Sequence, residues 1–353
     1  MNTRFNAAFT ALLAAALFGA TTPLAKTLLG SLSPFMVAGL FYLGSGVGLA
    51  IAIQIQRFRR TTDERRNESR IHVSEIPWLL GAIAAGGVVG PALLMLGLST
   101  TPAATSSLLL NLEGVFTAVI AWVVFRENVD LQIFLGMVAI VTGGVALSWQ
   151  PGATSVPVGA LLVVGACVAW AIDNNLTRKV STNDAMVIAC LKGLVAGSVN
   201  LGIALVLGAH LPSVGKVAAA MLTGFAGYGV SLVLFVVALR NLGTARTGAY
   251  FSVAPIFGVA LSLALWPELP SLRFWLSAAL MALGVWLHIR ERHEHPHTHE
   301  VLDHNHRHRH DEHHQHTHEF DWDGEEPHTH PHQHAPITHT HAHFPDIHHR
   351  HTH

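Results

Sequence analysis

Residues 101–127 read TPAATSSLLLNLEGVFTAVIAWVVFRE. Within them, Pro102–Phe125 is a mostly apolar run of 24 residues, closed by the charged pair Arg126-Glu127. A hydrocarbon core about 30 Å thick is crossed by roughly 20 helical residues, so this run predicts one tilted transmembrane helix. Near its middle sits Glu113, two residues after Asn111. A carboxylate at that depth is costly in lipid and must face protein or water. The stretch has a counterpart in Ala245–Glu268, ARTGAYFSVAPIFGVALSLALWPE. A constant shift of 141 carries Ala104, Phe116 and Glu127 onto Ala245, Phe257 and Glu268, Gly114 onto Pro255, and Phe125 onto Trp266. The pattern is that of two copies of one membrane unit.

Composition points the same way. Half of the 353 residues are hydrophobic, 12% are charged, and mean hydropathy is +0.41. Those values exclude an ordinary soluble domain and fit a polytopic membrane protein. Cys167 and Cys190 both lie in apolar segments, so they read as small buried hydrophobes and imply no disulfide framework.

Ten spans are predicted. Phe5–Leu29 is the first, and its apolar run is longer than a signal-peptide core, so it reads as a retained helix. Pro23 and Lys26 suggest a kink near its end, with Lys26 either snorkelling or facing a cavity. Pro34–Gln56 follows, then the polar loop Arg57–Ile76, with six Arg against four acids. Interleaved acids and the lack of a basic fold argue against nucleic acid as a partner. Pro77–Leu98 is the third span, rich in small residues suited to close helix packing, with a bendable point at Gly86-Gly87 before Pro91. The Pro102 run is the fourth and Leu131–Trp149 the fifth. The uncharged linker Gln150–Pro157 joins the halves. Val158–Lys179, Ala185–Gly208, Val217–Leu239, Thr244–Trp266 and Leu272–Ile289 complete the set. A shift of 152 lays Phe18…Lys26 on Trp170…Arg178, pairing Phe18 with Trp170, Thr21 with Asp173 and Lys26 with Arg178.

Five spans per copy is an odd number, so the second copy must lie upside down in the membrane: an inverted repeat. With the N-terminus inside, fourteen Lys and Arg of the loops and span ends fall on that side. Three (Lys26, Lys216 and Arg273) fall on the other. That bias puts both termini in the cytoplasm. The expected organisation is therefore an all-α membrane protein of ten transmembrane helices. Residues 1–149 and 150–290 form the two five-helix repeats, and residues 291–353 a disordered His-rich tail.

The segment FGATTPLAK at Phe18–Lys26, the fourth-span motif NLEGVFTAVIAWVVFRE and the two-fold five-span repeat resemble the drug/metabolite transporter superfamily. Within it, the likeness is to bacterial inner-membrane permeases with two EamA domains, over Arg4–Arg290. That resemblance implies ten helices, a central cavity between the repeats, and export or exchange of small metabolites. Many family members carry proline where this chain has Gly114. Pro255 keeps it in the second copy, and the His-rich tail lies outside the family core.

For substrate binding the candidates are Asn111, Glu113, Trp170, Asp173, Asn174 and Tyr250. Polar groups at mid-span line cavities or else glue helices together. Asp173 and Lys192 lie within reach of an ion pair, either structural or part of a cytoplasmic gate, and Lys26 is a further gate or ion-pair candidate. Phe251 shares the cavity-lining expectation with Tyr250. His210, Trp78, Trp149 and Trp266 sit near span ends and read as interfacial residues.

The tail holds 23 of the 26 histidines, with twelve Asp and Glu among them. They recur as His-x-His in His293/His295/His297/His299, His304/His306/His308/His310, His328/His330/His332/His334 and His339/His341/His343. Neutral imidazoles at that density chelate Zn, Ni, Co or Cu, while the tract is too polar to fold alone. No other cofactor is expected.

The leading expectation is a proton- or gradient-coupled inner-membrane permease that exports or exchanges a small metabolite or drug-like solute, with a metal-binding cytoplasmic tail. The alternatives are an exporter of a divalent metal or metal-chelate loaded by the tail, and a non-transporting metal-sensing receptor. No span carries a nucleophile–base pair or carboxylate dyad, so an enzyme is not expected. The partners expected are a small-molecule solute, the lipid bilayer and metal ions; the sequence names no oligomeric state.

Overall fold

The computed structural model describes residues 2–59, 73–125, 131–149, 156–177, 180, 184–242, 247, 250–267, 269–289, 294–298, 302–308, 328–334 and 338–342. Residues 1–291 and 292–353 form two separate units. In the first, the described residues hold eight helices long and apolar enough to cross a membrane, and two shorter apolar ones at Ala254–Leu265 and Leu272–Leu287. Their outer faces expose large apolar side chains such as Val123, Leu205 and Leu276, as surfaces turned to lipid would.

Helix α1 spans Asn2–Leu29 and α2 Pro34–Arg59. The expected kink in α1 is not a break, since Pro23 sits inside one continuous helix. The third span is composite: α3 (Ile76–Ala82), a π-helical segment (Ile83–Val89) and α4 (Gly90–Thr100). The expected single fourth helix is in fact two, α5 (Ala103–Leu109) and α6 (Leu112–Phe125), with a turn at Leu110-Asn111. Asn111 explains the interruption. Its Nδ2 donates to Leu108 O at 3.0 Å, offering the backbone a local partner in place of the helical ladder.

Next come α7 (Leu131–Ser148), α8 (Val158–Thr177), α9 (Ala185–Val206) and α10 (Val214–Gly224). A second π segment (Phe225–Val230) leads into α11 (Ser231–Leu242). Residues 250–251 are helical, Ser252 and Val253 turn, and α12 (Ala254–Leu265) and α13 (Leu272–Ile289) close the unit. The two π segments begin 142 residues apart, as do α6 and α12 after their turns. Both irregularities of the first copy therefore recur in the second.

Packing follows the same correspondence. Helix α6 lies on α8 as α12 lies on α1, and α4 on α8 as α11 on α1; α2 meets α9 at the centre. Glycines set that central crossing. A Cβ on Gly39 would fall 3.1 Å from Gly197 O, and one on Gly193 would fall 2.6 Å from Gly46 N, so the backbones nearly touch. Between membrane helices that close approach supplies packing where the hydrophobic effect gives little. Phe41, Met36, Leu94, Leu98, Leu109 and Ile140 fill the largest apolar core.

The tail makes up the second unit. Its described residues form two antiparallel ladders, β1 (Glu294–Thr298) with β4 (Thr338–Ala342) and β2 (Leu302–His308) with β3 (His328–His334). Alternating His-x-His has the two-residue period of a strand, and an antiparallel register can set histidine opposite histidine. His295 lies opposite His341, His297 opposite His339, and His304, His306 and His308 opposite His332, His330 and His328. His293, His299, His310 and His343 lie outside the described residues. Among the described residues no group of three or more metal-ligating side chains converges.

Candidate functional site

The π segment at Ile83–Val89 is the scaffold of the site. A π turn displaces helix carbonyls from their usual donors, and such turns are frequent at functional sites. Side chains from three other helices take up these carbonyls. Tyr42 Oη on α2 and Trp170 Nε1 on α8 each donate to Gly86 O at 2.9 Å. Asn200 Nδ2 on α9 donates to Gly87 O at 3.2 Å and Val88 O at 3.4 Å. Gly86 is a glycine for a steric reason: the Asp173 carboxylate occupies the place where a Cβ would stand.

Asp173 is buried, and both its oxygens lie 2.6 Å from Lys192 Nζ. Thr177 Oγ1, one turn on, donates to Asp173 Oδ1 at 2.8 Å. The next residue, Asn174, reaches the fourth span. Its Nδ2 donates to Glu113 Oε1 at 3.0 Å and to Thr117 Oγ1 at 3.3 Å. Asn175 Nδ2 donates to Thr117 O at 3.2 Å, stitching α8 to α6. Glu113 sits in the first turn of α6, where a carboxylate is favoured by the helix dipole. Just before it, the turn releases Leu109 O, which takes the thiol of Cys167 at 3.5 Å.

An aromatic wall adjoins this polar set. Tyr228, in the second π segment, packs its ring 5.3 Å from Tyr42, 5.9 Å from Phe18 and 6.0 Å from Phe41. Phe251 adds a ring 5.4 Å from Phe18 and 4.9 Å from Phe235.

Of the candidates from sequence, Glu113, Trp170, Asp173, Asn174 and Lys192 come together here. Asn111 does not reach them and bonds back to its own helix. Tyr250 is half-buried, next to Phe251. Lys26 lies apart from these residues, at the end of the third span. Its ammonium donates to Leu98 O at 2.6 Å and to Ser99 O and Thr101 O at 3.1 Å each, capping the C-terminal end of the third span. Three protons meet three carbonyls at the negative end of a helix dipole, which accounts for a lysine at that depth.

Sequence reasoning missed Tyr42, Thr117, Thr177 and Tyr228, and marked Gly86 only as a bendable point. A signal existed for three of them. Tyr42 and Tyr228 are two of only three tyrosines in the chain and both lie inside spans, and Thr117 stands one helical turn from Glu113.

Apolar helices broken at matching points, with the buried Asp173 and the half-buried Glu113 and Lys192 beside the breaks of the first copy, mark a polytopic membrane protein. The chain belongs to the EamA-like transporter family, whose model matches residues 5–149 and again 157–290, one repeat each. It is 28% identical over 282 residues to an uncharacterized transporter of Methanothermobacter thermautotrophicus, covering 76% of this chain and 82% of the relative. It is 23% identical over 280 residues to the uncharacterized transporter YyaM of Bacillus subtilis, covering 76% and 88%. A solved crystal structure, 17% identical, superposes with a TM-score of 0.57 over 80% of this chain and 95% of its own, a likeness of fold.

Proposed function

We propose that this protein is a secondary transporter of ten spans in two inverted five-helix repeats. It exports or exchanges a small organic solute through a site bounded by Glu113, Asn174, Asp173, Lys192, Trp170, Tyr42 and Tyr228. Both termini face the cytoplasm of a bacterial inner membrane, and the tail chelates divalent metal there. One observation carries the reading: the π segment and the helix break of the first copy recur in the second, and Asp173, Lys192 and Glu113 gather beside the first pair. Interrupted helices near the repeat interface are where secondary transporters bind their substrates. The ion pair between α8 and α9 serves as a link that opens and re-forms as the repeats rock.

Reconstituted protein in proteoliposomes, challenged with amino acids, amines, drug-like solutes and divalent metals, tests this directly. Saturable flux of an organic solute is expected. Flux of metal alone would favour the metal-export reading, and no flux of any solute would favour a metal-sensing receptor. Reporters fused at Arg66 and after Arg292 should both read cytoplasm; an external signal from the second would end the ten-span reading.

A further inference from the structure

The charges of the site do not cancel. Asp173 and Lys192 neutralise one another at 2.6 Å. Among the described residues, the one side-chain hydrogen bond to the Glu113 carboxylate comes from the neutral amide of Asn174. With Glu113 ionised, the site therefore carries one net negative charge in surroundings of low dielectric, where an unmatched charge is costly.

The matching positions of the other copy hold no such charge. Shifts of 152 and 141 replace Asp173, Asn174, Glu113 and Thr117 by Thr21, Thr22, Ala254 and Gly258. The correspondence holds in the packing: a Cβ on Gly86 would meet the Asp173 carboxylate, and one on its counterpart Gly227 would meet Thr21 Cγ2. Rings take over where charges stop. Phe18 stands for Trp170, Tyr228 for Gly87 and Phe251 for Leu110. One residue joins the two halves. Tyr42 packs its ring on Tyr228 and gives its hydroxyl proton to Gly86 O, beside Asp173. Asn174, the residue after Asp173, carries the line on to Glu113.

We infer that the solute taken at Glu113 is an amphiphilic organic cation, with a protonated amine as its head and an apolar, ring-sized body laid against Phe18, Tyr42 and Tyr228. This inference rests on the transport reading of the site. The ammonium supplies the missing positive charge and displaces a neutral amide, not a counter-ion. Its body meets aromatic faces, which also attract a cation. A free anion would add charge of the sign already in excess. A zwitterion would need a second cation for its carboxylate, and Lys192 is already held by both oxygens of Asp173.

The test uses three probes with one indole body and different charge: tryptamine, tryptophan and indole-3-acetate. Their binding to the purified full-length protein is read by thermal shift and by displacement of radiolabelled tryptamine. Tryptamine should bind at least about tenfold more tightly than the other two, as a charge-assisted contact implies. Glu113→Gln should weaken tryptamine by about tenfold or more while Glu113→Asp retains most of its binding. Tryptophan or indole-3-acetate binding as well as tryptamine would overturn the inference, as would no tryptamine binding at all. So would full tryptamine affinity in a folded Glu113→Gln protein. The probe series on the unaltered protein decides even if that variant does not fold. Flux of an anionic or zwitterionic solute in the proteoliposome assay, with no binding of tryptamine, would leave the transport reading standing while this one fell.

Discussion

Lys192 Nζ lies 2.6 Å from both carboxylate oxygens of Asp173, and the two side chains are only 17% and 8% exposed. Helices α8 and α9 are thus joined across the site by a charge pair largely shut off from solvent. Desolvating two ions costs much of what their attraction returns, so such a pair is better suited to holding a conformation than to adding stability.

Removing one partner is another matter, because it strands the other. Asp173→Asn or Lys192→Met should each lower stability by about 3–5 kcal/mol, and the double variant should recover most of that loss. Melting in detergent across the four proteins checks it. Single variants as stable as the parent would mean that the pair is not closed in solution.

Gly86 and Gly114 make a matched pair of tests. Gly86→Ala drives a methyl into the Asp173 carboxylate and should cost about 1–3 kcal/mol and disturb the ion pair. Gly114→Ala meets nothing within 4 Å and should be neutral, or more stable by about 0.5–1 kcal/mol through helix propensity. Equal effects in melting and transport would contradict this packing.

Much of the fold was legible because a bilayer imposes length and apolarity on every span. The limits of α2, α7 and α13 match the apolar runs to within a few residues. The shift that pairs Thr21 with Asp173 also holds in space, since both press on matching glycines. What stayed hidden depends on distant partners. Gly86-Gly87 signalled a weak point but not a π turn, which is set by Tyr42, Trp170 and Asn200 arriving from other helices. The break at Leu110-Asn111 was masked by an apolar run that satisfies hydropathy whether or not the helix is continuous. Lys26 could not be placed without knowing where the third span ends in space.

For Lys26, the three carbonyls it serves make a clear expectation. Lys26→Met strips their shared donor and should cost about 1–3 kcal/mol, whereas Lys26→Arg, which keeps several N–H donors, should lose less. Thermal melting separates this from snorkelling, under which both variants would behave like the parent.

The tail gives a pH-dependent expectation. Imidazole binds metal only when deprotonated and ordinarily titrates near pH ~6.5. Zn or Ni binding by the full-length protein should therefore be strong at about pH 7.5 and largely lost by about 5.5. Truncation after Arg292 should abolish it and leave the membrane unit folded. Isothermal titration of both proteins reads this, and metal binding that survives truncation would remove the tail from the account.

The most direct measurement is solute flux in proteoliposomes carrying the parent protein or Glu113→Gln, with melting recorded for each. The account predicts saturable flux in the parent and a loss of about tenfold or more in Glu113→Gln, with little change in melting. Parent-like flux through a folded Glu113→Gln protein would contradict it, and would leave the hydrogen bond from Asn174 as no more than a tie between α8 and α6.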